Sequence, residues 1–334
     1  MVSVIVIMVG IFLFEWLFFY LLLFMFFVVF MCRFCGVISP FITPFNDDLS
    51  IDFYAVRWLV DFQVERGVHG IFPFSTTGEF PHLSMDEGIS VTRVVLDGVG
   101  GRVWVIPGIS ANCTEHSVYL GRVFMDMGVD GVIVTPPFFF KPSYDGLKRH
   151  FSIIAEKVDL PIIIYNIPST TGVSVPVKLC LELALEYSNI VGVKATVDEF
   201  TYFKRLIGSV KGVRRDFTVL TGLDQLLLPV LMLGGDGGIM ALANFAPQIH
   251  RAVYDSWVDG DLNRAYSEYK RLLKLTEIYD LASSFPSAVK SSLYALNTPI
   301  KPYVRPPLTC EPDEVIDGIR AILRELNLLG DQLL

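Results

Sequence analysis

The chain has 334 residues, 52% of them hydrophobic and 19% charged, with a formal net charge of -8. That is enough apolar sequence for one barrel of roughly 250 residues with additions, or for two ordinary domains. An acidic chain without a basic run excludes nucleic acid as the main partner, while a local lysine or arginine could still hold a phosphorylated small molecule.

Residues 1–31 are nearly all apolar, with Glu15 the only charge. About 20 apolar residues span a bilayer, so this segment is long enough for a membrane anchor. It does not fit a signal peptide, because no Lys or Arg precedes the apolar stretch and no small-residue cleavage site follows it. Arg33 lies on its C-terminal side, so an inserted segment would leave the rest of the chain facing the cytosol. A second reading stands beside this one. Met31 begins a stretch that reads as the natural start of a soluble enzyme, which makes residues 1–30 an upstream extension from a misplaced start. Either way the remaining chain is expected to be cytoplasmic.

From Gly36 onward, short β-branched runs alternate with amphipathic segments. Gly36–Phe41 reads as a strand. A helix over 52–66 follows, with Phe53, Val56, Leu59, Val60 and Val64 on one face. Gly67 closes it as a glycine just past a helix end does. Gly70–Phe74 is the second strand, and Ser84-Met85-Asp86-Glu87 opens the next helix with a capping-box pattern. Strand Val103–Pro107 leads to a helix carrying Leu120, Val123, Phe124 and Met127, closed by Gly128. The joints Gly67-Val68-His69-Gly70-Ile71-Phe72 and Gly128-Val129-Asp130-Gly131-Val132-Ile133 share one layout. Later strands read as Val132–Thr135, Pro161–Tyr165, Ile190–Lys194, Phe217–Thr221 and Gly238–Leu242, each followed by helical sequence.

Apolar strands that are each followed by a helix imply a parallel sheet covered on its outside. Eight such units predict an α/β fold, a (β/α)8 TIM barrel over residues 34–261. Residues 262–334 add about three helices as a C-terminal extension packed on the barrel. A doubly wound sheet would need a glycine-rich loop after its first strand. Pro40-Phe41-Ile42-Thr43-Pro44-Phe45 has none.

The five cysteines are Cys32, Cys35, Cys113, Cys180 and Cys310, and only the first two are close. A second ligand pair at zinc spacing is missing, and the five histidines are scattered, so no metal is expected. In a barrel, catalytic side chains come from the C-terminal ends of strands. That rule selects Ser75-Thr76-Thr77-Gly78-Glu79, Tyr165-Asn166 and Lys194. Lys194 ends an apolar strand and points either into the barrel mouth or toward the helix layer. An inward lysine is desolvated, which lowers its pKa and leaves a neutral amine able to attack a carbonyl and form an imine. The other reading is a lysine snorkelling at a strand end. Tyr165 could shuttle protons beside such an amine, or fill the core. The Ser75–Gly78 turn could bind a carboxylate through its N–H groups, or be an ordinary capped loop.

These residues carry a resemblance. GVISPFITPF (Gly36–Phe45), STTGE (Ser75–Glu79), YNIP with TG (Tyr165–Pro168, Thr171-Gly172), GVK (Gly192–Lys194), GGDGG (Gly234–Gly238) and RPPL (Arg305–Leu308) run in the order of the dihydrodipicolinate synthase / N-acetylneuraminate lyase family. The chain resembles these pyruvate-dependent class I enzymes over roughly residues 34–328. The resemblance implies that Lys194 forms an imine with pyruvate or another 2-oxo acid and that Tyr165 is the proton relay. It implies that Thr76 and Thr77 hold the pyruvyl carboxylate, and that Gly222 and Asp224 contact the hydroxyl-bearing part of the substrate. It implies no cofactor, a small aldehyde as second substrate and a homotetramer.

Two departures narrow the substrate. Synthases of the family carry an arginine where this chain has Thr170, and a relay tyrosine where it has Phe139. Both suit a lyase of a 2-keto-3-deoxy sugar acid, closest in character to a 2-keto-3-deoxygluconate aldolase. Ala241, standing where a hydroxyl side chain is expected, disfavours a sialic acid lyase. A dihydrodipicolinate synthase or a sugar-acid dehydratase of the same family is the alternative. A non-catalytic 2-oxo-acid-binding barrel is the reading from another class.

Overall fold

The structure is a computed structural model and describes residues 33–329. The apolar segment 1–31, with its two readings, and Cys32 lie outside the described residues. Eight short strands form one parallel sheet: β1 (Gly36–Pro40), β2 (Gly70–Phe72), β3 (Trp104–Val105), β4 (Val132–Val134), β5 (Ile162–Asn166), β6 (Ile190–Ala195), β7 (Thr218–Thr221) and β8 (Gly237–Ile239). Their order is β3-β2-β1-β8-β7-β6-β5-β4. The two ends of this order meet beyond β3, where Gly108 bridges to Ile133. The Ile109 N–H donates to the Ile133 carbonyl at 2.9 Å, and the Ile133 N–H to the Pro107 carbonyl at 3.0 Å. The sheet is therefore closed, and the expected barrel is the fold. The strands are apolar on both faces because one face fills the barrel and the other meets the helices.

The interior holds Ile38, Phe72, Ile106, Ile133, Ile163, Val191, Leu220 and Ile239, with Tyr165 and Ile167 at its upper end. Phe34 closes the lower end, edge-on to Trp104 at 5.5 Å. The first outer helix, Phe53–Glu65, buries Val56, Leu59 and Val60, and Gly67 after it takes the left-handed φ of 78°. Ser84 and Glu87 form the capping box at the start of helix Met85–Val99. Gly128, at φ 80°, ends helix Thr114–Met127.

Five strands end sooner than the apolar runs suggest: β1 and β4 by one residue, β2 and β3 by two, and β8 by three. β3 stops at Val105, since Pro107 has no N–H to give the ladder. β8 stops at Ile239, and Leu242, expected in the strand, lies in a 3-10 turn, Ala241–Asn244. The buried Asn244 amide holds that turn. It donates to the carbonyls of Pro40 and Ala241 and accepts from the Ile42 N–H and from Gln63.

Four helical segments follow the barrel where about three were expected: Leu262–Thr276, Ile278–Leu281, Phe285–Ala295 and Asp313–Glu325. The additional one, Ile278–Leu281, is a single turn. They share one apolar cluster with the first outer helix, including Leu59, Leu272, Leu293 and Ile319. No helix among the described residues is long and apolar enough to cross a membrane.

Candidate active site

The pairing of β5 with β6 creates the centre of the site. Ile162 pairs with Ile190, but Ile163 pairs with Gly192, so β6 carries one extra residue there. From that irregularity onward Tyr165 stands opposite Lys194; in an unbroken register it would face Val193. A bulge re-aims side chains in this way, because adjacent residues of a strand point to opposite faces. Lys194 therefore points inward, which answers the question the sequence left open.

Lys194 is 3% exposed. Its Nζ lies 3.9 Å from the Tyr165 ring centroid and 5.1 Å from that of Phe72. Burial pushes the amine below the usual lysine range, against the opposing pull of Tyr165 and Asp224. The Thr196 hydroxyl donates to the Tyr165 hydroxyl at 3.4 Å. Thr196 is two residues past Lys194, and the two-residue period of a strand could have found it.

The Ser75–Glu79 turn divides its work. The Ser75 hydroxyl donates to the Phe41 carbonyl and accepts from the Gly78 N–H, while Thr43 donates to the Gly78 carbonyl. A Cβ at Gly78 would sit 2.4 Å from the Phe41 carbonyl oxygen, so only glycine fits there. Among the described residues, the N–H groups and hydroxyls of Thr76 and Thr77 bond to no other protein group. Glu79, in the left-handed region at φ 60°, reaches the buried Lys290 amine at 2.5 Å, the Arg305 N–H at 2.9 Å and His82 at 3.3 Å.

Gly222 follows β7. A Cβ there would lie 1.9 Å from the Thr196 hydroxyl oxygen and 3.0 Å from Lys194 Cε, so its bare backbone makes room for both side chains. Asp224 is 2% exposed and well partnered. One oxygen faces His250 Nε2 at 2.7 Å and the Leu242 N–H at 3.3 Å, and the other accepts from the Tyr279 hydroxyl at 2.8 Å. Burial, and then Asp224, push the Tyr279 phenol well above its usual range. Tyr279 comes from the single-turn segment beyond the barrel, and no local sequence signal marks it.

All six candidate residues, Thr76, Thr77, Tyr165, Lys194, Gly222 and Asp224, line one cavity of about 460 Å³. A second cavity, of about 530 Å³, adjoins it across Thr76, Ile167, Tyr279 and Phe285. Thr170 lies on the wall of the second. Phe139, expected at the relay position, is 87% exposed, and its neighbour Phe138 lines the second cavity instead, edge-on to Phe80. Among the described residues no group of three His, Cys, Asp or Glu could hold a metal ion. A buried amine, a phenol against it and a pair of free N–H groups across the cavity can together bind a 2-oxo acid by carboxylate and carbonyl.

Residues 33–326 match the Dihydrodipicolinate synthetase family. The chain belongs to that family. Its relatives include an uncharacterized DapA-like lyase of Thermofilum pendens, 64% identical and covering 89% of this chain and 98% of its own. The probable 2-dehydro-3-deoxy-D-pentonate aldolase YjhH of Escherichia coli K12 is 35% identical, covering 90% of this chain and 99% of its own. Among solved structures, the E. coli K12 prophage protein YagE, crystallised in complex with pyruvate, superposes with a TM-score of 0.86 at 33% identity. That alignment covers 88% of this chain and 99% of YagE. This member of the dihydrodipicolinate synthetase family is a carbon–carbon lyase.

Proposed function

We propose that the enzyme is a Schiff-base aldolase that cleaves a 2-keto-3-deoxy sugar acid to pyruvate and an aldehyde. The observation that carries this reading is the desolvated Lys194 amine, held against Tyr165 beneath the free N–H groups of Thr76 and Thr77. The aldolase names of YjhH and of YagE, a putative 2-dehydro-3-deoxy-D-gluconate aldolase, support the substrate class.

Thr76 and Thr77 receive the substrate carboxylate, which places the C2 carbonyl at Lys194. The neutral amine adds to C2, and loss of water leaves the protonated imine. Tyr165, with Thr196 behind its hydroxyl, returns the proton that the departing water needs and later takes the C4 hydroxyl proton. The C3–C4 bond then breaks, its electron pair moves into the imine, and C4 leaves as the aldehyde carbonyl. The resulting enamine is protonated at C3, and water hydrolyses the imine to release pyruvate and the free lysine. The imine is the electron sink, and no step of this sequence calls on a metal or organic cofactor.

Borohydride reduction in the presence of pyruvate tests the reading. It should add a pyruvyl mass to the peptide bearing Lys194, and Lys194→Ala should lose both the adduct and turnover. No adduct on folded protein sinks the proposal. An adduct without pyruvate release from any of a panel of sugar acids would instead mark a non-catalytic binding barrel.

A further inference from the structure

His250 is a titratable side chain with no role in the steps just described. It stands on helix Pro247–Val258, is wholly buried and lines neither cavity. Both of its ring nitrogens face acceptors. Nδ1 lies 3.1 Å from the Ala246 carbonyl, and Nε2 lies 2.7 Å from Asp224 Oδ1. A carbonyl cannot donate, so Nδ1 carries a proton. The short Nε2–Oδ1 contact needs a proton of its own, on the ring or on the acid. Either way His250 and Asp224 hold that proton between them and are neutral as a pair.

Asp224 connects this pair to the chemistry, because it lines the same cavity as Lys194. Burial lowers the pKa of the Lys194 amine, while Tyr165 and then Asp224 pull it back up. The other acids of that cavity, Asp198 and Glu199, are exposed, and water screens them. Around His250 the surroundings are apolar. Among the described residues, the elements packed against its helix (β1, Leu227–Met232, Ala241–Asn244 and Leu262–Thr276) bury no charged side chain. Tyr269, from the last of these, is tied to the Gln225 carbonyl at 2.5 Å. Arg251 and Asp255, on the same helix as His250, are paired with each other.

We propose that His250 is a positioning residue of the active site: through the shared proton it balances the Asp224 carboxylate beside the Lys194 amine and keeps that carboxylate turned to Tyr279. This rests on the imine-forming reading of Lys194 and adds a residue that touches no substrate. An unbalanced carboxylate in that wall would favour the charged amine, which cannot attack a carbonyl. With the proton in place, the amine is neutral at lower pH, while Asp224 still accepts from Tyr279 and the Leu242 N–H.

The test follows the rate at which a borohydride-trappable pyruvate adduct forms, as a function of pH. His250→Gln keeps an N–H for Asp224 but cannot carry the shared proton. Its midpoint should lie at least ~0.5 pH unit above that of the unaltered enzyme, since a nearby carboxylate of full charge raises an amine's pKa by about one unit or more. Asp224→Asn removes the charge itself, so its midpoint should not rise. The double variant His250→Gln/Asp224→Asn should return to the parent midpoint or below it, a rescue that a mere packing role for His250 would not give. Nitrogen NMR of isotope-labelled, unaltered enzyme adds a measurement that needs no His250 variant to fold. The His250 ring signals, identified by elimination against single variants of the other four histidines, should stay fixed from about pH 6 up to the Lys194 midpoint. A His250→Gln shift short of that size, a midpoint still raised in the double variant, or a His250 signal that titrates in that range overturns this inference and leaves the imine reading standing. Absence of any adduct in the unaltered enzyme overturns both.

Discussion

Replacing Lys290 by methionine removes one partner of a buried ion pair while keeping most of the side chain's volume. Lys290 and Glu79 are both fully buried, with Nζ 2.5 Å from the carboxylate. The amine also donates to the Tyr303 carbonyl at 2.8 Å and lies 4.0 Å over the Phe45 ring. Burial pushes its pKa down to about 8, with Glu79 holding against the fall, so near neutral pH the lysine is still largely charged. Loss of one partner leaves a buried carboxylate uncompensated, at a cost of about 3–5 kcal/mol. The Arg305 N–H and His82 still reach Glu79, which puts the expected cost at the lower end, ~3 kcal/mol. A chain of this size unfolds with an entropy of roughly 0.6 kcal/mol per kelvin, so Tm should fall by about 5 °C in calorimetry at neutral pH. The double variant Glu79→Gln/Lys290→Met should recover most of that loss, since a pair removed whole leaves no unmatched charge. A Lys290→Met protein that melts within ~1 °C of the parent would refute this reasoning.

Lys194 ties imine formation to pH. Only the neutral amine attacks, and burial lowers its pKa, so the rate of adduct formation should rise with pH through a midpoint below the ordinary value of 10.5. A midpoint at or above that value would contradict the desolvation. Tyr165→Phe keeps the ring beside Lys194 but loses the hydroxyl. Sugar-acid cleavage should fall by about 10²–10⁴-fold, and the pyruvate adduct should form more slowly but still form, since Lys194 is intact, read by pyruvate release and by trapping. Gly222→Ala forces a methyl against Thr196 and Lys194. A loss of stability of about 1–3 kcal/mol in denaturant melts, with slower adduct formation, is expected. Normal trapping kinetics would show that Gly222 does not set the space around the amine.

Much of the fold could be read along the chain because the information is local. Apolar runs, the Ser84 capping box and the glycines at 67 and 128 each act within a few residues, and they placed most elements. Strand ends were less legible. Pro107 stops β3 by a local rule, but β8 stops where Asn244 bonds to Pro40 and Gln63, which are far away in sequence. The site divides along the same line. Thr76, Thr77, Tyr165 and Lys194 are visible as polar residues at the ends of apolar strands. Tyr279 and Lys290 are invisible there, since they matter only because the C-terminal helices fold back over the barrel mouth.

The sequence by itself determined which residues could do imine chemistry, because residue type and strand position are local properties. Only the tertiary structure decided that Lys194 faces the cavity. That depends on one extra residue in β6 opposite Ile162 and Ile163, which sets the amine across from Tyr165 instead of turning it toward the helices. A strand's side chains alternate faces, so a shift of one residue between neighbouring strands decides which side chain reaches the cavity.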